Sequence, residues 1–130
     1  MAHYLDTSAI VKLVVAEAET DALRAWIAVA GGPMVSSDLA RTEVMRAVRR
    51  AAPGLAAEAR TVLDSVHLLK VESRTFEAAG RIDPTSLRSL DAIHLAAALT
   101  LEDDLQGIVT YDERLAEAAG LNGVHVLAPA

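Results

Sequence analysis

Three features of this sequence predict an α/β fold built on a parallel sheet. Short apolar runs suited to strands alternate with stretches of helical period from one end of the chain to the other. One helix, Leu90 to Leu101, is apolar nearly all round, as a helix buried in the centre of a domain must be. The 130 residues contain no internal repeat, low-complexity run or linker, so they form one domain, 1–130, around one core.

In chain order, Ala2 to Leu5 reads as a short strand that stops at Asp6, with Thr7 or Ser8 capping a helix through about Val15. A second helix, about Thr20 to Ala30, sets Leu23, Trp26, Ile27 and Ala30 on one face and ends at Gly31-Gly32-Pro33. Met34 to Ser36 is a buried strand, after which Ser37 or Asp38 caps a third helix. Its stripe Ala40, Val44, Ala47, Val48 and Ala51 keeps helical period until Ala52-Pro53-Gly54 breaks it, and Glu43 borders that stripe. A helix near Leu55 to Ser65, a strand His67 to Val71 and a short helix Arg74 to Gly80 lead to the turn at Asp83-Pro84. The apolar helix follows, with Asp91 and His94 as its only ionisable side chains. Gly107 to Thr110 is a strand with Asp112 just beyond it. A helix Glu113 to Ala119 and a strand Val124 to Leu127 close the sheet.

Composition narrows the functional classes. A hydrophobic content of 52% exceeds what a small domain buries alone, so a partner surface or a homodimer is expected. The chain has no cysteine, which excludes disulfides and thiolate metal sites and fits a reducing compartment. The run Ala9 to Val15 is too short to span a bilayer and too late and too charged for a signal peptide; a soluble, cytoplasmic protein with no membrane role is expected. A net charge of −6 argues against holding nucleic acid by surface charge alone.

The chemistry resides in carboxylates. Asp6 and Asp112 stand at the carboxyl ends of strands, where open parallel sheets bind ligands. Asp91 near the start of the buried helix and Glu43 in the second turn of the third helix can face the same cleft. Four acids in one cleft repel each other until a cation neutralises them, and carboxylates suit Mg²⁺ or Mn²⁺. Such sites serve water attack on phosphorus, with cations roughly 3.5 to 4 Å apart where two are bound.

These segments resemble the PIN-domain ribonucleases, and most closely the VapC-type toxins of bacterial toxin–antitoxin pairs. The resemblance rests on Leu5-Asp6-Thr7-Ser8-Ala9, Arg41-Thr42-Glu43-Val44, Leu90-Asp91-Ala92-Ile93-His94-Leu95-Ala96 and Val109-Thr110-Tyr111-Asp112, in this order along the whole chain. It implies a PIN-like α/β/α sandwich with a central five-stranded parallel sheet. It also implies an Mg²⁺- or Mn²⁺-dependent endoribonuclease that cleaves single-stranded or loop segments of structured RNA such as tRNA or rRNA. Dimers and a cognate VapB-type antitoxin are implied as partners. Asp6, Glu43, Asp91 and Asp112 match the family's acidic quartet, as catalytic and metal-binding residues, and Ser8 and Thr110 match its supporting hydroxyls. Some PIN domains carry a further acid two residues after the position of Asp112; here Arg114 stands there, which puts a second cation in question.

Each acid also has an ordinary structural reading. Asp6 can cap the first helix, Asp91 can favour a helix dipole, Glu43 can pair with Arg46 at i+3, and Asp112 can simply follow a strand. Only the joint pattern lifts all four. His94 reads as a hydrogen-bonded core residue rather than a metal ligand. Aromatic content of 3% offers no stacking platform, so RNA contact falls to arginines: Arg46, Arg49 and Arg50 at helical spacing beside Glu43, with Arg41 and Arg88 as further candidates. Val14, Val15, Leu23, Trp26 and Ile27 fit either an antitoxin groove or core. A haloacid-dehalogenase-like phosphatase would need a second Asp where Ser8 stands, and a receiver domain would need an adjacent acidic pair and a late Lys. A non-catalytic PIN-like RNA- or protein-binding module is the alternative that keeps the fold without turnover.

Overall fold

Five short strands form the centre of the structure, a computed structural model that describes residues 1–130. They are β1 (Ala2–Leu5), β2 (Met34–Ser37), β3 (His67–Leu69), β4 (Leu105–Val109) and β5 (Val126–Leu127). All pair in parallel, in the order β3-β2-β1-β4-β5. The chain therefore steps outward from β1 to β3 and then crosses back to β4 on the other side of β1. That reversal opens a crevice at the carboxyl ends of β1 and β4, where Asp6 and Thr110 are the next residues.

Side chains alternate across the sheet, which divides the core in two. Leu5 and Val109 join one apolar cluster with residues of α1 (Thr7–Lys12), α2 (Thr20–Ala30), α3 (Leu39–Ala51) and α4 (Ala56–Ser65). Tyr4, Val35 and Ile108 join the other with α6 (Ser89–Leu99) and α7 (Glu113–Leu121), beside α5 (Ser73–Ala79). Helices cover both faces, the layered sandwich expected. Gly107 lets β5 come close: a Cβ there would lie 2.7 Å from Leu127 Cδ1 and 3.0 Å from the His125 carbonyl oxygen.

α6 explains its own composition. It packs on β2 and β4 with α5 and α7 alongside, so Ala92 and the run His94 to Ala98 are all buried, and only its first residues, Ser89 and Leu90, are exposed. Burying a side chain such as Leu95 contributes about 1.5–3 kcal/mol. The small alanines around it let the neighbouring elements close in.

Several boundaries differ from the sequence reading. α1 ends at Lys12 rather than near Val15, because the Thr20 hydroxyl donates to the Lys12 carbonyl at 2.8 Å and Lys12 Nζ is drawn to Glu17 and Glu19. β3 stops at Leu69, level with the end of β2 at Ser37, and β5 takes up only Val126–Leu127 of its apolar run. Val14 and Leu23 are buried, and Val15, Trp26 and Ile27 pack against the same cluster, so this stripe is largely core; Trp26 also meets His3 edge-on at 4.7 Å. No helix is long and apolar enough to cross a membrane.

Candidate active site

Asp6 lies at the point where β1 hands the chain to α1. Its backbone is extended, and its side chain caps the helix by accepting from the Ala9 N–H at 3.0 Å. The same oxygen, Oδ1, accepts from Ser8 Oγ at 2.6 Å, and Oδ2 accepts from Thr110 Oγ1 at 2.6 Å. Each of these hydroxyls in turn accepts a backbone N–H, Tyr111 on Ser8 and Asp112 on Thr110. The ends of β1 and β4 are thus tied together through one carboxylate that is 4% exposed. Capping and site membership are not alternatives here: Asp6 does both. Burial pushes its pKa up, and the bonds from Ser8, Thr110 and Ala9 offset that only in part.

Glu43 reaches the same crevice from α3 and does not pair with Arg46. Its Oε1 accepts from Thr7 Oγ1 at 2.7 Å and stands 2.6 Å from His94 Nε2. His94 Nδ1 lies 2.7 Å from the Tyr4 hydroxyl. A carboxylate cannot donate, so Nε2 carries the proton toward Glu43, and the Tyr4 hydroxyl then donates to Nδ1. Burial holds Tyr4 protonated by raising its pKa well above the usual phenol range. For Glu43, burial pushes the pKa upward, but the bonds from His94 and Thr7 outweigh it and the net shift is down. His94 is the hydrogen-bonded core residue that its apolar helix suggests, and also the group that aims Glu43.

Asp91 and Asp112 form the other side. Asp91 lies in the first turn of α6, half-buried, and takes part in none of the molecule's ion pairs. Its pKa is raised, first by burial and then by the charges of Asp112, Asp6 and Glu43, with His94 opposing. Asp112 caps α7, its Oδ1 accepting from the N–H groups of Arg114 at 2.9 Å and Leu115 at 3.2 Å.

The four acids line a single cleft of about 430 Å³, together with Thr7, Ser8, Lys12, Glu17, His94 and Tyr111. Lys12 does not neutralise them, because Glu17 and Glu19 hold its ammonium at 2.8 and 2.7 Å. The side chains do not close on one point as a finished coordination sphere. The donor set nonetheless suits a hard divalent cation: oxygen ligands from four segments, with like charge accumulated on Asp91. Arg46, Arg49 and Arg50 lie apart, exposed on α3 around a shallow concavity of their own. Thr7 and Lys12 escaped the sequence reading, although Thr7 adjoins Asp6 and a lysine on a short apolar helix is itself unusual.

The model of the PIN domain family matches residues 3–121. The chain is 48% identical to Ribonuclease VapC46 of Mycobacterium tuberculosis over 128 residues, covering 98% of each protein. It is 44% identical to Ribonuclease VapC47 of the same species, covering 86% of this chain and 85% of that protein. Among solved structures it resembles M. tuberculosis VapC20, a sarcin–ricin loop cleaving toxin, with a TM-score of 0.75 and 18% identity over 89% of this chain and 94% of that one. A toxin–antitoxin complex from Klebsiella pneumoniae aligns with a TM-score of 0.73 and 22% identity over 98% of both chains. VapBC2 from Rickettsia felis, bound to a promoter DNA fragment, aligns with a TM-score of 0.73 and 10% identity over the full length of both chains. At these identities the structural matches speak for the fold.

Proposed function

The chain belongs to the PIN-domain family, as a ribonuclease of the VapC type, and from that premise we propose that it is the toxin of a toxin–antitoxin pair whose Asp6, Glu43, Asp91 and Asp112 hold Mg²⁺ or Mn²⁺ for hydrolysis of structured RNA. The observation that carries this reading is the convergence of those acids, from four separate segments, on one cleft at the switch point of the sheet.

A divalent cation held there would supply a water nucleophile near neutral pH and offset charge on the leaving oxygen. The protein's share is preparation. Ser8, Thr110 and the Ala9 N–H fix Asp6 in one orientation before any ligand arrives. Thr7 and His94 occupy Oε1 of Glu43 and so present Oε2 to the cleft. The Asp112 cap leaves Oδ2 available in the same way. Asp91, with no such donors, is left with burial and like charge that a cation would offset.

The whole chain acts as one domain. VapC20's action on the sarcin–ricin loop supports a structured RNA, tRNA or rRNA, as substrate. The toxin–antitoxin assemblies among the structural relatives support a VapB-type antitoxin. Exposed Phe76, Leu90, Val29 and Leu121 provide apolar surface for that partner and for a homodimer, in the cytoplasm where such RNA resides.

The test is cleavage of total cellular RNA by purified, antitoxin-free protein in Mg²⁺, Mn²⁺ or EDTA, with ends mapped by sequencing. Discrete cuts are expected, lost in EDTA and reduced on the order of 10²–10³-fold or more by Asp6→Asn, the scale of losing one preorganised electrostatic element. Equal activity in Asp6→Asn would sink the site assignment. No cleavage by folded protein in either metal would favour a non-catalytic binding module.

A further inference from the structure

The carboxylate cleft does not end at Asp91 and Asp112. Those two residues also line an adjoining concavity of about 340 Å³, whose other walls are Arg88, Glu113 and Arg114, with no apolar side chain among them. We infer that Arg88 and Arg114 form a phosphate subsite that binds the RNA phosphate next to the one being cleaved. This rests on the ribonuclease reading above and adds to it the point where the strand is gripped.

Charge accounting supports the assignment. An RNA strand must bring its phosphates against four acids in a protein of net charge −6. Of the cations lining the two concavities, Lys12 is held by Glu17 and Glu19, whereas neither Arg88 nor Arg114 belongs to any ion pair. Both are exposed, and they come from different elements: Arg88 immediately precedes α6, and Arg114 lies in the first turn of α7. Two guanidiniums facing one concavity suit the bidentate recognition of a phosphate. No side chain caps the amino terminus of α6, so its first N–H groups add donors at the same edge. A phosphodiester over the carboxylates would have its neighbour along the strand in this concavity.

The experiment is steady-state cleavage of total-RNA-derived substrate by wild type, Arg88→Gln, Arg114→Gln and the exposed control Arg60→Gln, with Mn²⁺ titrations of each. In parallel, binding of a fluorescein-labelled, mixed-sequence single-stranded 12-mer RNA is followed by anisotropy across salt concentrations. Each subsite variant should raise KM about tenfold with kcat within about twofold, as expected for lost ground-state contacts to phosphate. Each should also reduce the slope of log affinity against log salt, and the two substitutions together by about 0.7, the one phosphate contact on a single strand that the pair shares. Arg60→Gln should change neither, and the Mn²⁺ needed for half-activation should stay constant. Unchanged KM and salt slope in both variants would overturn the subsite while wild-type cleavage still upheld the ribonuclease. A shifted Mn²⁺ requirement with unchanged KM would assign the arginines to the carboxylates and likewise overturn it. If wild type cleaves nothing, the ribonuclease reading fails separately, and the salt slopes still decide whether the two arginines grip RNA. Arg→Lys variants, which keep the charge and lose the fork, should recover the salt slope but only part of KM.

Discussion

The two halves of the carboxylate cleft are built on opposite principles. Around Asp6 and Glu43, hydroxyls, an imidazole and a backbone N–H are already committed to the carboxylates, through bonds that reach Tyr4 inside the core. Around Asp91 and Asp112 the wall is open, Asp91 feels mainly burial and like charge, and the nearby arginines are unpaired. The closed half holds its geometry before any ligand arrives, because its acceptors are satisfied. The open half keeps unbalanced charge, so a cation or substrate bound there would gain by offsetting it.

The contrast breaks most visibly at His94. His94→Ala removes a buried ring, leaves a cavity and strips partners from Tyr4 and Glu43. It should cost about 2–4 kcal/mol in urea unfolding. Cleavage should also fall about 10–100-fold, as when a group supporting a metal ligand is lost. Stability within about 0.5 kcal/mol of wild type would mean the closed half does not depend on this network. Tyr4→Phe, which deletes only the outermost hydrogen bond, should cost about 1 kcal/mol.

A smaller effect of opposite sign centres on Asp91 in the open half and is shared by the buried Asp6 across the cleft. The pKa values of Asp6 and Asp91 are both raised above their ordinary 3.8. The folded protein therefore binds these protons more tightly than the unfolded chain does. Stability in EDTA should fall as pH rises from near 3.8 through the folded values. Asp91→Asn should raise the metal-free Tm at neutral pH and flatten that fall, and it should shrink the Tm gain produced by Mn²⁺. A lower neutral-pH Tm in EDTA for this variant would show that repulsion is not what distinguishes the open half.

The smallest effect is expected on α3. Arg49→Gln should weaken RNA binding about threefold, the scale of one exposed charge, because the concavity of Arg46, Arg49 and Arg50 does not share a wall with the acids. A loss equal to that of Arg88→Gln would move the strand's path onto α3.

Much of this was legible in the residues. Strand and helix types follow from local periodicity, and the acids stand at strand ends or helix starts where a parallel sheet opens. The ends of α1 and β3 differ from the local reading because each depends on a distant partner: the Thr20 hydroxyl for α1 and the reach of β2 for β3. Arg46 beside Glu43 was equally misleading. Helical spacing permits that pair, but Glu43 turns to His94, 51 residues away in sequence.

By itself the sequence determined the alternation of elements, the apolar character of α6 and the set of acids available, since these depend on periodicity and residue chemistry within a few positions. Tertiary structure decided which oxygen of Asp6 meets Ser8 and which meets Thr110, that His94 aims Glu43, that Lys12 is spent on Glu17 and Glu19, and that Arg88 and Arg114 share a wall with Asp91 and Asp112. Side-chain partners are chosen by the packing of elements far apart in the chain, and a hydrogen bond leaves no periodic trace in the residues between its ends.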